Sequence, residues 1–174
     1  MTVRVRAAGI LVEDGRILLV REGTMPSGEP YFIPPGGGLE PSDHSLHECV
    51  IREVWEETGL HVDVGEPIYI KEFFEPVTAT HHVEVFFLVT QRAASAADTA
   101  DAANAVDTAD AASAAHTPSA KGQASARAPD RPFAWYRPEE LAGLVVFPPD
   151  LAGSFWQERA DGTLRCRYLG RPRS

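Results

Sequence analysis

Glu53, Glu56 and Glu57 are the residues of this chain whose types and spacing could do chemistry. At i, i+3 and i+4 they share one face of a helix. Carboxylates gathered in this way repel one another, and a divalent cation is the usual reason to collect them. Mg2+, with Mn2+ as the alternative, takes hard oxygen ligands and keeps places for water and substrate phosphates. Just upstream, Gly36, Gly37 and Gly38 allow a sharp turn with backbone close to a ligand, so a carbonyl or amide could join the carboxylates. Such a set suits the cleavage of a phosphoanhydride, in which phosphate charge is neutralised, a water is positioned and a spare glutamate takes its proton. The plain alternative is the solvated face of a Glu-rich helix.

The elements around these residues favour the first reading. Ser45-x-x-Glu48 has the form of a capping box, and Gly59 is placed to end the helix that begins near Ser45. At about 100° per residue, Leu46, Cys49 and Val50 fall in the sector of Glu53, Glu56 and Glu57, so the carboxylates continue a buried stripe toward a cleft floor. Val3 to Val12 reads as a strand, Asp14-Gly15 as a hairpin turn and Ile17 to Val20 as the returning strand. Tyr31 to Ile33 is a short extended run stopped by Pro34-Pro35. His61 to Val64, Pro67 to Phe74 and Val83 to Thr90 are further strands. Pro138 to Leu141 begins a helix, and Pro149 to Arg159 forms another.

Ala93 to Asp130 differs in composition. It is dominated by Ala with Asp, Ser and Thr, has no aromatic residue, and carries DTADAA at Asp98 and again at Asp107. Such a stretch cannot bury a core and reads as a flexible insertion in a single domain spanning residues 1–174. The formal net charge of −9 argues against a nucleic-acid partner, yet a metal can still bridge an acidic protein to a polyanionic small substrate. Arg159, Arg165, Arg167, Arg171 and Arg173 read as a solvated basic tail. Cys49 and Cys166 match no zinc spacing and no disulfide framework, which fits a reducing cytoplasm. No apolar run is long enough to span a membrane.

Arg52 to Leu60, REVWEETGL, resembles the second half of the Nudix box, G-x5-E-x7-R-E-U-x-E-E-x-G-U with U apolar, at every one of its positions. The flanks are similar too: Val12 to Glu22 resembles the opening hairpin, Ile33 to Gly38 the entry to the box, and Trp135 to Leu144 the closing strand and helix. The resemblance to Nudix hydrolases of the MutT-like kind implies an α/β/α sandwich around a mixed β-sheet. It implies metal-dependent hydrolysis of a nucleoside diphosphate linked to another moiety, with a nucleotide-type small molecule as substrate. A non-catalytic nucleotide-binding or regulatory domain on the same fold is the alternative. By matching position, Glu56 and Glu57 would be metal ligands, Glu53 a ligand or the general base, and the Gly36 carbonyl an extra ligand. Arg52 would hold the glycine segment by pairing with an acidic neighbour. Family members are often dimers, so a homodimer is an open assembly.

The first half of the box departs from the pattern. Counting back from Arg52 puts its glutamate on His44, whereas aligning from the glycines puts it on Asp43 with one extra residue before the helix. Asp43 is preferred because an acid is kept and the helix cap is undisturbed. A true His44 replacement would weaken turnover or leave a binder. Glu75 and Glu84 are candidates for a ligand or base from outside the helix. His81 and His82 are candidates for phosphate or base contact, and Tyr69, Phe74 and Trp135 read as packing.

Overall fold

The computed structural model describes residues 2–92 and 132–170, so the reading of Ala93 to Asp130 as a flexible insertion lies outside the described residues. The first strand, β1 (Thr2–Glu13), turns at Asp14-Gly15 into β2 (Arg16–Thr24). Both turn residues have left-handed φ, 49° and 72°, which is the backbone twist that a two-residue hairpin loop needs. Then come β3 (Pro30–Ile33), β4 (Gly36–Gly38), α1 (Leu46–Thr58), β5 (Val62–Glu75) and β6 (Thr80–Gln91). After the undescribed stretch follow β7 (Phe133–Tyr136), α2 (Pro138–Leu141), β8 (Val145–Val146), a 3-10 turn (Pro149–Ala152), α3 (Ser154–Ala160) and β9 (Arg167–Tyr168).

Among the described residues the strands form one mixed sheet in the order β8-β3-β2-β1-β6-β5-β9, with β4 also on β1 and β7 also on β2. β1 runs parallel to β6, and β5 antiparallel to β6. Because β7 pairs with β2, chain from both sides of the undescribed stretch shares this sheet. The central strands are apolar on both faces because helices cover both faces. Ala7, Leu11, Leu18, Phe87 and Val89 meet Cys49, Val50 and Val54 of α1. Ala8, Ile10, Ile17, Leu19 and Phe86 point the other way, toward Leu141, Leu151 and Phe155. The architecture is therefore the expected α/β/α sandwich with a mixed sheet. No helix among the described residues is long and apolar enough to cross a membrane.

Several local expectations need correction. The strands expected at His61 to Val64 and Pro67 to Phe74 are one strand, β5, whose register shifts on either side of Pro67. Pro67 has no N–H to give a ladder, and the irregularity absorbs it without ending the strand. The helix expected from Pro149 to Arg159 is broken at Gly153, whose φ of −128° and ψ of −112° are not helical. The three glycines form a strand, not a turn: Gly36, Gly37 and Gly38 pair with Ala8, Ala7 and Arg6.

Arg167 is no part of a solvated tail. Its guanidinium donates to the Tyr69 hydroxyl at 3.3 Å, Asp150 at 3.2 Å and the Ser154 hydroxyl at 3.2 Å, and pairs with Glu158 at 2.9 Å. It ties β9 to β5, the 3-10 turn and α3. Arg171 and Arg173 lie outside the described residues.

Candidate active site

Helix α1 brings the three glutamates to the glycine strand. Ser45 caps it, its hydroxyl accepting the Glu48 N–H at 3.2 Å. The capping box is not reciprocal, because Glu48 accepts instead from the His44 N–H at 2.9 Å. Gly59, in the left-handed region at φ 69°, closes the other end by donating to the Trp55 carbonyl. Cys49, Val50 and Val54 are fully buried under this helix. Anchored there, α1 directs Glu53 and Glu57 toward β4.

Glu57 is 5% exposed and accepts the Gly36 N–H at 2.8 Å. The space above Gly37 is taken by the Glu53 carboxylate, which a Cβ at that position would strike. At Gly36 a Cβ would strike the Ala7 carbonyl and the backbone of Ala8. Backbone therefore requires glycine at Gly36, whereas at Gly37 only the movable tip of Glu53 stands in the way. The Gly36 carbonyl accepts from Arg6 Nη2 at 2.9 Å, and the same nitrogen reaches the Pro34 carbonyl at 3.2 Å. Cys49 completes the contacts of the strand, with Sγ 3.5 Å from the Gly38 carbonyl. Burial pushes the Cys49 thiol up to about 11, so it stays protonated at neutral pH and serves as packing, not as a nucleophile.

Arg52 sits at the centre of the acidic cluster. It grips Asp43 with two bonds, of 3.0 and 2.8 Å, and donates to Glu53 at 2.8 Å, Glu56 at 3.3 Å and the Gly38 carbonyl at 3.1 Å. The bonds to Arg52 hold the Asp43 carboxyl down at about 2, and the bond to Asp43 in turn raises Arg52 further above its ordinary value. Of the two residues competing for the acidic position, Asp43 carries the carboxylate that meets Arg52, and its side chain is 4% exposed. His44 is exposed at the helix entrance.

The donor set suits a hard divalent cation: carboxylate oxygens on one helix face beside a backbone carbonyl. In the present arrangement no three acidic, histidine or cysteine side chains among the described residues meet at one point that could hold a metal. Glu53 and Glu56 each turn an oxygen to Arg52, Glu57 turns one to the Gly36 N–H, and the Gly36 carbonyl accepts from Arg6.

Beside this cluster opens a cleft of about 560 Å³. Glu53 and Gly36 to Gly38 line one end. The floor is one face of β1, β6 and β5: Arg4 and Arg6, then His82, Glu84 and Phe86, then Lys71 and Phe73. Tyr31 and Phe147 line the cleft as well. Glu84 and His82 thus reach the cleft, whereas His81 pairs with Glu72 at 2.7 Å and Glu75, at the end of β5, bonds Thr78. Tyr69 is buried and Trp135 packs under α1, while Phe74 is half exposed. Sequence reasoning passed over Arg4, Arg6, Lys71, Phe73 and Phe147. The signal available for the first four was the alternation of β strands, which puts residues two apart on one face.

Comparison with known proteins gives this geometry a class. The chain belongs to the NUDIX domain family, whose profile matches residues 3–152. Members of this family are in general pyrophosphohydrolases acting on nucleoside diphosphate derivatives. Over 63 residues it is 46% identical to a MutT-like protein of Streptomyces ambofaciens, a match covering 36% of this chain and 38% of that protein. Over 87 residues it is 32% identical to the m7GpppN-mRNA hydrolase NUDT17 of Bos taurus, covering 44% of this chain and 28% of that protein. The chain thus spans well under half the length of these curated relatives. The structure of a NUDIX hydrolase from Nitrosomonas europaea superposes with a TM-score of 0.59 over 92% of this chain and 90% of that one, at 18% identity.

Proposed function

We propose that this protein hydrolyses a phosphoanhydride bond in a nucleoside diphosphate linked to another moiety, with Mg2+ or Mn2+ held by Glu53, Glu56, Glu57 and the Gly36 carbonyl. The observation that carries this reading is the convergence of α1 on the glycine strand, where Glu53 covers Gly37 and Glu57 grips the Gly36 amide at the end of the cleft. The bound cation would supply charge neutralisation for the phosphate oxygens and a lowered pKa for a bound water. Glu53, which lines the cleft, is the residue placed to take that water's proton. Arg52 acts as a positioning residue, joining Asp43 and the Gly38 carbonyl to the glutamates. Arg4, on the cleft floor, adds a cation for phosphate.

A net charge of −9 favours a small polyanion reached through a cation over a nucleic-acid surface. Nucleoside triphosphates are the substrates to try first. The free cysteines Cys49 and Cys166 suit a reducing cytoplasm.

The test is incubation with Mg2+ and a panel of nucleoside triphosphates, nucleotide sugars, dinucleoside polyphosphates and capped RNA, with phosphate products measured. Metal-dependent release from one of these classes is expected. Binding without release would favour the non-catalytic alternative.

A further inference from the structure

The cleft has a second chemical end, remote from the glutamates. Strand registers set Gly38, Arg6, Glu84 and Lys71 side by side in one row across β4, β1, β6 and β5. Neighbouring strands lie about 4.8 Å apart, so the row runs roughly 14 Å from the glycine strand to Lys71. A nucleotide with its phosphates at the glutamates would reach that far end with its base.

The groups waiting there are aromatic and charged. His82 lies flat on Phe73, with ring centres 4.5 Å apart and planes 1° from parallel. Lys71 Nζ stands 5.1 Å from the ring centre of Phe73 and 5.1 Å from that of Phe147. Tyr31 meets Phe147 edge-on at 5.9 Å. Between these rings Lys71 faces Glu84 at 3.8 Å, with side chains only 24% and 15% exposed. Opposite charges on neighbouring strands are often mere cross-strand partners. Two facts separate this pair from that case. It lies on the floor of the cleft, and at 3.8 Å it exceeds hydrogen-bond length, so donor and acceptor face each other without closing a direct bond.

We infer that this end takes the nucleobase of the substrate and that Lys71 and Glu84 select guanine. The inference rests on the hydrolase reading only for the place of the phosphates. An ammonium only donates, and a carboxylate only accepts and can take two N–H groups at once. Guanine has two neighbouring donors, N1–H and N2–H, beside the acceptor O6. Glu84 takes the two donors and Lys71 takes O6. Adenine and cytosine offer one exocyclic donor beside a bare ring nitrogen, whose lone pair would face the carboxylate. Uracil offers one N–H between two carbonyls, one of which would face it. Phe147, whose ring borders Lys71, supplies apolar surface beside the base.

The experiment compares GTP, ATP, CTP and UTP as Mg2+-dependent substrates, and GMP against AMP in calorimetric binding without metal, for the wild type, Glu84→Gln and Lys71→Met. The wild type is expected to favour guanine about tenfold or more in kcat/KM and in Kd. Glu84→Gln should lose that preference in both readouts, bringing the GTP-to-ATP ratio of kcat/KM and the AMP-to-GMP ratio of Kd to within about twofold of one. Lys71→Met should do the same, and serves if Glu84→Gln does not fold by circular dichroism. Hydrolysis without guanine preference, or preference intact in a folded variant, overturns the inference. If GMP binds over AMP and the variants abolish this while no nucleotide is hydrolysed, the base site stands and the hydrolase reading fails.

Discussion

Glu57 separates the chemical role of the acidic cluster from its structural one. Its carboxylate accepts the buried Gly36 N–H at 2.8 Å, and a glutamine oxygen can accept the same bond. Glu57→Gln therefore preserves the join between α1 and β4 while removing one charge. Carboxylates four residues apart on a helix, about 6 Å from one another, repel by roughly 3 kcal/mol at an effective dielectric of about 20, an upper figure for partly exposed groups. Without metal, the variant should thus unfold at or slightly above the wild-type temperature. With Mg2+ the order reverses. A metal present at about a hundredfold over its Kd stabilises by about 2.7 kcal/mol, or roughly 5–10 °C for a chain of this size. Loss of a carboxylate ligand should remove most of that shift. The rate should fall by about 10²–10⁴, the scale of about 3–5 kcal/mol of transition-state stabilisation. Glu57→Ala also leaves the Gly36 N–H unpaired, which costs about 1–3 kcal/mol even without metal. The assay is a pair of melting curves, with and without Mg2+, beside kcat/KM for the best substrate. A folded Glu57→Gln with wild-type turnover and a wild-type Mg2+ shift would refute the assignment.

Other outcomes follow from the same contacts. Chelation with EDTA should abolish turnover, and added Mg2+ or Mn2+ should restore it. Gly37→Ala places a methyl where the Glu53 carboxylate lies, and since that tip can swing aside, activity should fall by about tenfold or more while stability changes by about 1 kcal/mol or less. Asp43 has a depressed pKa of about 2 against an ordinary 3.8, so its stabilisation is fully present above about pH 4 and disappears as pH falls through about 2. Asp43→Asn should accordingly be destabilised at neutral pH and converge on the wild type below pH ~2 in acid unfolding curves. Arg167→Met should lower the melting temperature by leaving Asp150 and Glu158 unpaired, a loss of about 1–3 kcal/mol, with kcat unchanged because the clasp lies apart from the cleft.

The parts legible in the sequence were those governed by short range. Helix periodicity alone put Glu53, Glu56 and Glu57 on the face of Cys49 and Val50; Glu57 is buried with those two, whereas the Glu56 side chain stays 35% exposed. The Asp14-Gly15 turn and the Gly59 cap were legible for the same reason, since each depends on the backbone angles of one or two residues. Pro67 and Gly153 were misleading because their effect depends on the neighbours, one being absorbed by pairing and the other stopping a helix.

What the sequence by itself determined, then, is the family and the local pattern that marks it: a carboxylate-bearing helix behind a run of glycines, as in the NUDIX domain family. Only the tertiary structure decided which residues share the cleft with it. It placed Asp43, and not His44, against Arg52. Lys71 and Glu84 became neighbours through the register of β5 on β6, and Arg6 joined them through the register of β1. The physical reason is one of range. A helix places its side chains by contacts within a turn, whereas a sheet places them by pairing segments remote in the chain, and no local pattern records which strand lies beside which.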